Sequence, residues 1–318
     1  MRLWEQHTCL PLDPEADITP LTRYGTGAYL SVNVGYSPQD RTASTAMISA
    51  WTARAADDSR FRLVHTVDDV DRAWSEGVLG LAFDLEDSAP LDGDLDNVAY
   101  FVSLGVRSLL PTYNHENAAG CGCLDASDTG LTAYGRDLVR AMNAAGMAAD
   151  GSHCSRRTGL DIATVTERPM IYSHSNFAAL WEHPRNIADE QARACAETGG
   201  VVGINGVGIF LGVNGIDDGA ARVEAMADHL EYGVDLLGID HVGIGSDFSF
   251  DHEDFVSEVT AHPDAFGPEY TAYGPLQWVP PEDTRTIPDV LRARGWDDDA
   301  VHAVTGGNFR RVAGEVWV

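Results

Sequence analysis

The sequence predicts an α/β protein that folds as a (β/α)8 TIM barrel with a helical extension at its C-terminus. Short apolar runs rich in β-branched residues alternate with stretches of helical periodicity, a pattern typical of parallel strands joined by helices. About eight such strands fall within roughly the first 250 residues, as in a closed barrel. An open, doubly wound sheet is the alternative, but no Gly-x-Gly-x-x-Gly turn follows an early strand.

Each predicted strand is a short apolar run bounded by polar or helical sequence. In chain order the strands are RLWEQH (2–7), AYLSVNV (28–34), LGLAFDLE (79–86), VRSLLPT (106–112), MAADGSH (147–153), PMIYSH (169–174), GVVGIN (200–205) and HVGIGSD (241–247). Helical patterns cover 40–56, 67–75, 94–104, 131–145, 158–166, 187–198 and 219–237, and two further helices lie near 285–294 and 298–314. Because no linker, low-complexity tract or repeat interrupts the chain, we expect a single domain over 1–318, with the C-terminal extension over 251–318.

The chain is strongly acidic, since 49 Asp and Glu residues against 21 basic residues give a formal charge of −28. Repulsion from phosphate disfavours nucleic acid and anionic membranes as partners, and a solvated acidic surface is the simplest explanation of the charge. All 21 basic residues are Arg, which excludes Schiff-base chemistry, a P-loop lysine and a lysine carbamate between two metals. With no apolar run long enough for a membrane span and no signal peptide, we expect a cytoplasmic protein.

The five cysteines do not follow the pattern of a disulfide framework, so we expect reduced thiols. Cys121 and Cys123 are a candidate metal pair, but their Gly-rich loop carries no second pair. Cys195 lies on a helical pattern and is expected to pack in the core.

Polar residues gather at the ends of the predicted strands. Those that end or directly follow a strand are His7 and Cys9, Glu86, Tyr113 and Asn114, His153, His174, and Asp247. Because strand C-termini converge on one face of a barrel, these side chains would meet in one pocket. Taken singly, a strand-end His is more often structural, and an acidic residue there often caps a helix. Three His, one Cys and two carboxylates together form a metal-ligand set.

A pair of divalent ions needs a shared anionic ligand, usually a carboxylate or a carbamylated lysine. Because the chain has no Lys, a carboxylate is required. Glu86, at the end of the third predicted strand, is the best placed.

Several segments resemble, in the same order, those of the membrane dipeptidase family, also called renal dipeptidases, a zinc-dependent branch of the amidohydrolase-type barrels. They are DLEDSAPLDGDLDNV, GMAADGSHCS, RPMIYSHSNFAAL, HPRNIADEQ, GIDHVGIGSDF and GGNFRRV. The resemblance spans nearly the whole chain. It implies two Zn²⁺ ions, the first held by His7, Cys9, Glu86 and Asp247 and the second by Glu86, His153 and His174.

The same resemblance assigns further roles. A metal-activated water would be the nucleophile, and Asp247 would take its proton and pass it to the leaving amine. Arg185 would pair with the free carboxylate of the substrate. A surface salt bridge is the alternative role for Arg185.

Two positions depart from the family's pattern. The family's His-x-Asp motif reads His7-Thr8-Cys9 here, so a thiolate replaces a carboxylate. A thiolate is a good zinc ligand, so Cys9 can replace the carboxylate. Alternatively, Cys9 is only a small apolar residue that fills space, and the first metal site is then weakened or empty. After the fourth strand, Tyr113 stands where the family has a histidine that stabilises the tetrahedral intermediate. Tyr113 can donate to a developing oxyanion, and His115, two residues on, is a further candidate for substrate binding.

The sequence therefore predicts a metal-dependent hydrolase of a dipeptide or small N-acyl amino acid with a free carboxylate. Two alternatives stay open: a hydrolase of another C–N bond, in a cyclic amide, lactam or biosynthetic intermediate, and a metal-depleted barrel that only binds a ligand. The resemblance implies a homodimer, although no patch of the sequence requires one. The aromatic, Pro-rich segment 251–284 is either a lid over the site or packing for the C-terminal helices.

Overall fold

The computed structural model describes residues 2–317, in which parallel strands form a ring. The ten strands in these residues are β1 (Leu3–Cys9), β2 (Ala28–Asn33), β3 (Phe61–Leu63), β4 (Leu79–Leu85), β5 (Val106–Leu109), β6 (Ala148–Ala149), β7 (Ile171–Tyr172), β8 (Val201–Ile204), β9 (Val242–Ile244) and β10 (Phe248–Ser249). One sheet has the order β10-β1-β2-β4-β5-β6, with β3 beside β4, and the other has the order β7-β8-β9.

Backbone contacts join the two sheets at both seams. At one seam Asp150, just after β6, bridges to Ile171 of β7, and the Gly151 N–H donates to the Ile171 carbonyl (2.8 Å). At the other, the Asp247 N–H donates to the carbonyl of His7 in β1 (3.1 Å), and β10 continues in parallel with β1. The predicted (β/α)8 barrel is confirmed, and β3 and β10 are short strands that the sequence analysis missed.

Helices follow most strands and pack on the barrel. The α-helices are α1 (Arg41–Asp57), α2 (Val67–Glu76), α3 (Asp96–Ser103), α4 (Ala133–Ala145), α5 (Arg156–Val165), α6 (Asp189–Glu197), α7 (Gly208–Leu211), α8 (Gly219–Leu237), α9 (His252–Ala261), α10 (Pro263–Phe266), α11 (Pro281–Thr284), α12 (Ile287–Ala293), α13 (Asp298–His302) and α14 (Asn308–Val316). Short 3-10 helices cover Thr19–Tyr24, Ala89–Leu91, Ile239–His241 and Pro268–Tyr270. Among residues 2–317, no helix combines the length and apolarity that crossing a bilayer requires.

Local sequence signals set several helix ends. At the start of α2, the Thr66 side chain accepts from the Asp69 N–H, and the Asp69 carboxylate accepts from the Thr66 N–H, which forms a capping box. Helices α2 and α4 end at Gly77 and Gly146, whose φ angles of 70° and 78° are left-handed and unstrained only for glycine. All five cysteines are free thiols, as predicted.

Some helices and strands in the structure differ in length from those predicted. A π-helical turn at Ala303–Gly307 divides the predicted helix 298–314 into α13 and α14. The predicted strands that end at His153 and Asp247 are too long. These two residues have φ angles of 61° and 57°, and a left-handed residue ends an extended strand.

The last helix packs on the barrel through a close contact. Phe309 of α14 lies over Gly203 of β8 and Gly243 of β9, where an added Cβ would meet its ring at 3.1 and 2.5 Å. The two glycines therefore allow α14 to approach the strands, and the predicted C-terminal helical extension packs directly on the barrel.

Candidate metal centre

The C-terminal ends of the barrel strands bring six sequence-predicted residues together. They are His7 and Cys9 at the end of β1, Glu86 directly after β4, His153 after β6, His174 after β7, and Asp247 between β9 and β10. His7 and Cys9 share a face because side chains alternate along a strand. The donor atoms of these residues form two overlapping groups.

One group surrounds His7. Its Nε2 lies 3.5 Å from Sγ of Cys9, 3.6 Å from Oδ1 of Asp247 and 3.3 Å from Oε1 of Glu86. Bonds of about 2.0 to 2.3 Å at tetrahedral angles place two ligands of one zinc ion about 3.3 to 3.6 Å apart. The observed separations fit one such ion, so Cys9 lies where a ligand is needed.

The second group shares Glu86 with the first. Oε1 of Glu86 lies 3.4 Å from Nε2 of His153 and 3.4 Å from Nε2 of His174. The two Nε2 atoms are 3.0 Å apart. One oxygen of Glu86 thus faces all three histidines, the position that a bridging carboxylate requires.

Each histidine is held through its Nδ1 atom. The partners are Oδ1 of Asp84 for His7 (3.0 Å), Oδ1 of Asn114 for His153 (2.7 Å) and Oγ of Ser173 for His174 (2.7 Å). Carboxylate and amide oxygens only accept, so His7 and His153 carry a proton on Nδ1 and turn Nε2 towards the cluster. Cations placed between these Nε2 atoms and Glu86 would satisfy all of them at once, so the donor set fits two divalent cations.

The electrostatics of the cluster keep two of the histidines in the neutral form, which can bind a metal ion. Burial lowers the pKa of His153 to about 3 and holds the pKa of His174 well below its usual value, so both imidazoles are neutral. Burial also acts to lower the pKa of His7, but neighbouring anionic groups, first among them Asp84, raise it well above its usual value. Burial raises the pKa of the Cys9 thiol to about 12, so a nearby cation is required for the thiolate.

Backbone strain is concentrated in this cluster. Asn114, His153 and Asp247 have φ angles of 56°, 61° and 57°, in the left-handed region that residues other than glycine rarely adopt. Such a conformation costs about 1 kcal/mol or more for each residue and is typical of functional sites. The surrounding contacts therefore hold these three side chains in place at the expense of stability.

Arg185 is buried beside the cluster. It is 2% exposed, its Nη2 donates to the carbonyl of His174 (3.1 Å), and its guanidinium carbon lies 5.4 Å from the centre of the Phe210 ring. Among residues 2–317, its Nε has no hydrogen-bond partner and no carboxylate pairs with it. Arg185 and His153 line a cavity of about 290 Å³. Because a buried, unpaired cation is costly, this cavity is suited to an anionic group such as a carboxylate.

Tyr113 is fixed at both its ring and its backbone. The ring stacks on His153 with centroids 4.1 Å apart, and the Tyr113 N–H donates to Oδ2 of Asp87 (2.8 Å). The residue is only 8% exposed, and burial holds the pKa of its hydroxyl well above the usual value, so the hydroxyl keeps its proton. Tyr113 lines two cavities of about 40 and 60 Å³ beside Cys9 and Glu86. Its hydroxyl is therefore available to a substrate oxygen.

His115, Cys121 and Cys123 contribute no donor atom to the cluster. The left-handed φ of Asn114 turns the chain, and Nδ1 of His115 instead pairs with Asp125 (3.3 Å), with the His115 side chain 39% exposed. The structure thus does not bring His115 into the cavities beside the cluster. Over residues 2–317, the converging groups of metal-binding side chains are all drawn from the cluster, and Cys121 and Cys123 are not among them.

The segment 251–284 lies over the cluster. Phe255 of α9, Tyr270, Leu276 and Trp278 line the cavity of about 40 Å³ that contains Cys9, Glu86 and Asp247 on its other walls. Of the two interpretations of this segment, the structure favours the lid.

Sequence reasoning missed the residues that orient the candidate ligands. Asp84 is the charged residue of an otherwise apolar strand and lies two positions before Glu86, so strand alternation could have placed both on one face. Asn33 ends β2 and donates from Nδ2 to Oε2 of Glu86. Asn205 follows β8 and donates from Nδ2 to Oδ2 of Asp247 (2.9 Å). The rule that strand ends converge applies to these two amides as well.

Comparison with known proteins finds a family model and relatives that match most or part of the chain. A family model described as membrane dipeptidase (peptidase family M19) matches residues 26–317. An uncharacterized protein in the 5′ region of pqqA from Klebsiella pneumoniae is 32% identical over 267 residues, which cover 81% of this chain and 90% of that protein. An uncharacterized dipeptidase of Schizosaccharomyces pombe is 36% identical over 192 residues, 59% of this chain and 46% of that protein, so the match spans about half of that relative.

Solved structures show the same architecture. An amidohydrolase from Pseudomonas aeruginosa has a TM-score of 0.88 and 26% identity, with 99% of this chain and 96% of that chain covered. A metallopeptidase from Rhodobacter sphaeroides, solved with a phosphinate mimic of the dipeptide L-Ala-D-Ala, has a TM-score of 0.77 and 23% identity, with 100% and 99% covered. The second likeness concerns the fold alone.

Proposed function

The chain belongs to the membrane dipeptidase family, peptidase family M19, and on that premise we propose that it is a zinc-dependent hydrolase that cleaves the amide bond of a dipeptide or a small N-acyl amino acid. The observation that carries the proposal is the convergence of the Nε2 atoms of His7, His153 and His174 on one oxygen of Glu86. Such a nitrogen and oxygen donor set is typical of a zinc hydrolase.

Two cations would share Glu86. The residues that would hold the first are His7, Cys9, Glu86 and Asp247, and those for the second are Glu86, His153 and His174. The thiolate of Cys9 favours zinc or another thiophilic ion in the first position. When bound, the ions supply Lewis acidity, which polarises a carbonyl group and acidifies water.

The side chains around the cations handle the protons and charges of amide hydrolysis. Asp247 is oriented by Asn205 at Oδ2, which leaves Oδ1 facing the cluster to accept a proton from the attacking water and return it to the leaving amine. The Tyr113 hydroxyl, which burial keeps protonated, would donate to the oxyanion that develops on the scissile carbonyl. Glu86, whose Oε1 faces all three histidines, would be a ligand of both cations.

Arg185 would bind the carboxylate of the substrate. Its guanidinium is buried, lacks an anionic partner among residues 2–317 and lines the cavity that also contains His153. A bidentate pair there would fix one end of the substrate while its amide bond lies at the cluster. The lid residues Phe255 and Trp278 would keep bulk water from the reacting groups.

The first test is the metal content per chain, measured by elemental analysis on protein purified without chelator. We expect two equivalents of zinc in the wild type and the loss of one in Cys9→Ala. Cys121→Ala is the matched control, because the Cys121 thiol contacts Thr129 outside the cluster, and it should keep both equivalents. One equivalent or fewer in the wild type, unchanged by Cys9→Ala, would contradict the two-metal site.

The second test is the hydrolysis of a panel of dipeptides that includes all four stereoisomers of alanyl-alanine. The release of free amino acid measures the reaction. Cleavage that is abolished by Asp247→Ala, with the metal content measured in parallel, supports the proposal. Full zinc occupancy without cleavage of any dipeptide or N-acyl amino acid would instead favour a hydrolase of another C–N bond.

A further inference from the structure

One buried amide hydrogen-bonds to both a candidate metal ligand and the lid. Asn114 is fully buried, and its Oδ1 accepts from Nδ1 of His153 (2.7 Å). Its Nδ2 donates to the carbonyl of Ala265 in α10 (2.9 Å) and to the hydroxyl of Tyr270 (3.2 Å). Ala265 and Tyr270 both belong to the lid, the segment 251–284. The two ends of a single amide therefore hold a histidine of the cluster and the segment that covers the cluster.

Other hydrogen bonds of the lid reach residues that hold no candidate ligand. The Tyr36 hydroxyl donates to Oε2 of Glu258 (2.6 Å), and Nδ2 of Asn214 donates to the carbonyl of Tyr273 (3.0 Å). Among residues 2–317, Asn114 is the residue whose hydrogen bonds reach both the lid and a histidine of the cluster. A movement of the lid therefore reaches the hydrogen bonds of the cluster through this amide.

The lid determines which end of the Asn114 amide faces His153. The Ala265 carbonyl can only accept, so it binds the NH2 end and leaves the oxygen for Nδ1 of His153. If the amide were turned round, its NH2 group would face Nδ1, and the ring proton would have to be on Nε2. Nε2 is the atom that faces Oε1 of Glu86 (3.4 Å) and would bind the second cation. The docked lid therefore favours the orientation of the amide in which His153 can be a ligand.

Aromatic packing holds the lid against the same part of the cluster. Tyr270 is 3% exposed, and its ring packs edge-on against Phe266 and Phe210, with centroids 5.3 and 5.8 Å apart. Phe266 in turn packs edge-on against Tyr113, whose ring stacks on His153. The lid cannot leave the amide without exposing these rings to water, which costs free energy.

We propose that Asn114 is a positioning residue that couples the lid to the second metal position. This inference rests on the proposed function, because it requires a cation at His153. When the lid is docked, Asn114 presents its oxygen to His153, and the affinity of the second position for zinc is higher. Coupling between two equilibria is reciprocal, so zinc at this position also stabilises the docked lid. The lid is therefore looser in the metal-free protein than in the loaded one.

The first experiment is hydrogen/deuterium exchange, followed by mass spectrometry, on the metal-free and the zinc-loaded protein. We expect zinc to slow the exchange of the backbone amides in 263–270 by about fivefold, the factor that corresponds to one net hydrogen bond. The number of zinc equivalents bound is measured on the same samples.

Two substitutions at position 114 separate the two ends of the amide, and both tolerate the left-handed backbone there. Asn114→Asp keeps an oxygen for His153 but has no N–H for the Ala265 carbonyl. We expect it to bind the second zinc at least as tightly as the wild type, because a hydrogen bond to a charged group is the stronger one, and to lose the zinc-dependent slowing in 263–270. Asn114→Gly removes both ends, so we expect about tenfold weaker binding of the second zinc and no slowing.

Tyr270→Phe tests the coupling from the lid side, because it removes one bond to the amide and leaves Asn114 in place. By reciprocity, we expect the second zinc to bind more weakly, by up to about fivefold, with a matching loss of the zinc-dependent slowing. The matched control is Tyr273→Phe, which should change neither, since Tyr273 is 47% exposed and hydrogen-bonds to Asn214 through its backbone carbonyl. Competition with a chromophoric chelator measures zinc affinity, and thermal unfolding checks that each variant is folded.

Equal exchange of 263–270 with and without zinc, in a wild type that binds two equivalents, would overturn the coupling and leave the proposed function standing. Zinc-dependent slowing that persists in Asn114→Asp would likewise overturn the role of Asn114. A wild type that binds no zinc would overturn the proposed function and this inference with it.

Discussion

Asp84→Asn should weaken zinc binding although Asp84 is not itself among the expected ligands. Asp84 accepts from Nδ1 of His7 at 3.0 Å and from Oγ of Ser31 at 2.6 Å, and all three residues are buried. The carboxylate holds His7 in the orientation that turns Nε2 to the cluster and makes the imidazole a stronger donor. Asparagine keeps the shape of the side chain and removes its charge.

The size of the effect follows from the hydrogen bond between His7 and Asp84. A hydrogen bond to a charged group contributes about 1.5 to 3 kcal/mol, and a neutral one about 1 kcal/mol. The loss of about 1.4 kcal/mol corresponds to a tenfold change in the dissociation constant. We therefore expect zinc to bind about tenfold more weakly at the site that contains His7, at the lower end of the range of about 10- to 100-fold typical of such partners.

Competition with a chromophoric chelator measures this change, because it resolves the two zinc equivalents by affinity. Ser31→Ala is the control, since it removes the other partner of Asp84 and leaves the charge and the contact with His7 intact. Unchanged zinc affinity in Asp84→Asn, or an equal loss in Ser31→Ala, would refute the reasoning.

Three further predictions concern the loss of metal, the Arg185 cavity and the buried His229. Removal of metal by chelation should lower Tm and zinc should restore it, since a ligand at about a hundredfold excess over Kd stabilises by about 2.7 kcal/mol per site; equal Tm values before and after zinc would contradict the metal centre. Arg185→Ala should raise KM by about tenfold or more for a substrate with a free carboxylate, and little for its C-terminal amide, because only the former forms a charged pair; equal effects on both would exclude that role. Burial lowers the pKa of His229, which accepts from the Phe177 N–H, to about 4, so its contribution to stability is present above the unfolded pKa of about 6.5 and is lost as the pH falls towards 4. Denaturant unfolding should show a smaller loss over this window in His229→Gln, and an unchanged profile would show that His229 does not titrate in this way.

The barrel and the convergence of the candidate ligands were predictable because both depend on patterns within short segments. The apolar run before Glu86 identifies a buried strand, and its end places the carboxylate on the face where other strands end. The same argument places His153 and His174 together although they follow different strands. The imidazole and carboxylate side chains that meet there are typical metal ligands, so they indicate a metal centre.

Other features depend on contacts that short segments do not encode. Strand β3 has three residues, too few to show alternation. His115 was expected near the site from its distance along the chain, but the backbone turn at Asn114 directs it to Asp125. The contact between Tyr36 and Glu258 joins residues 222 positions apart, and only the folded lid reveals it.

The left-handed backbone at Asn114, His153 and Asp247 limits how the sequence of this site can vary. Glycine adopts this conformation freely and Asn and Asp tolerate it, whereas β-branched residues are strongly disfavoured. A saturation library at these positions would lose Val, Ile and Thr whatever chemistry was selected. The residues that survive in such a library therefore satisfy two requirements at once, one on side-chain chemistry and one on backbone geometry. Glycine variants separate them, because they keep the geometry and remove only the side chain.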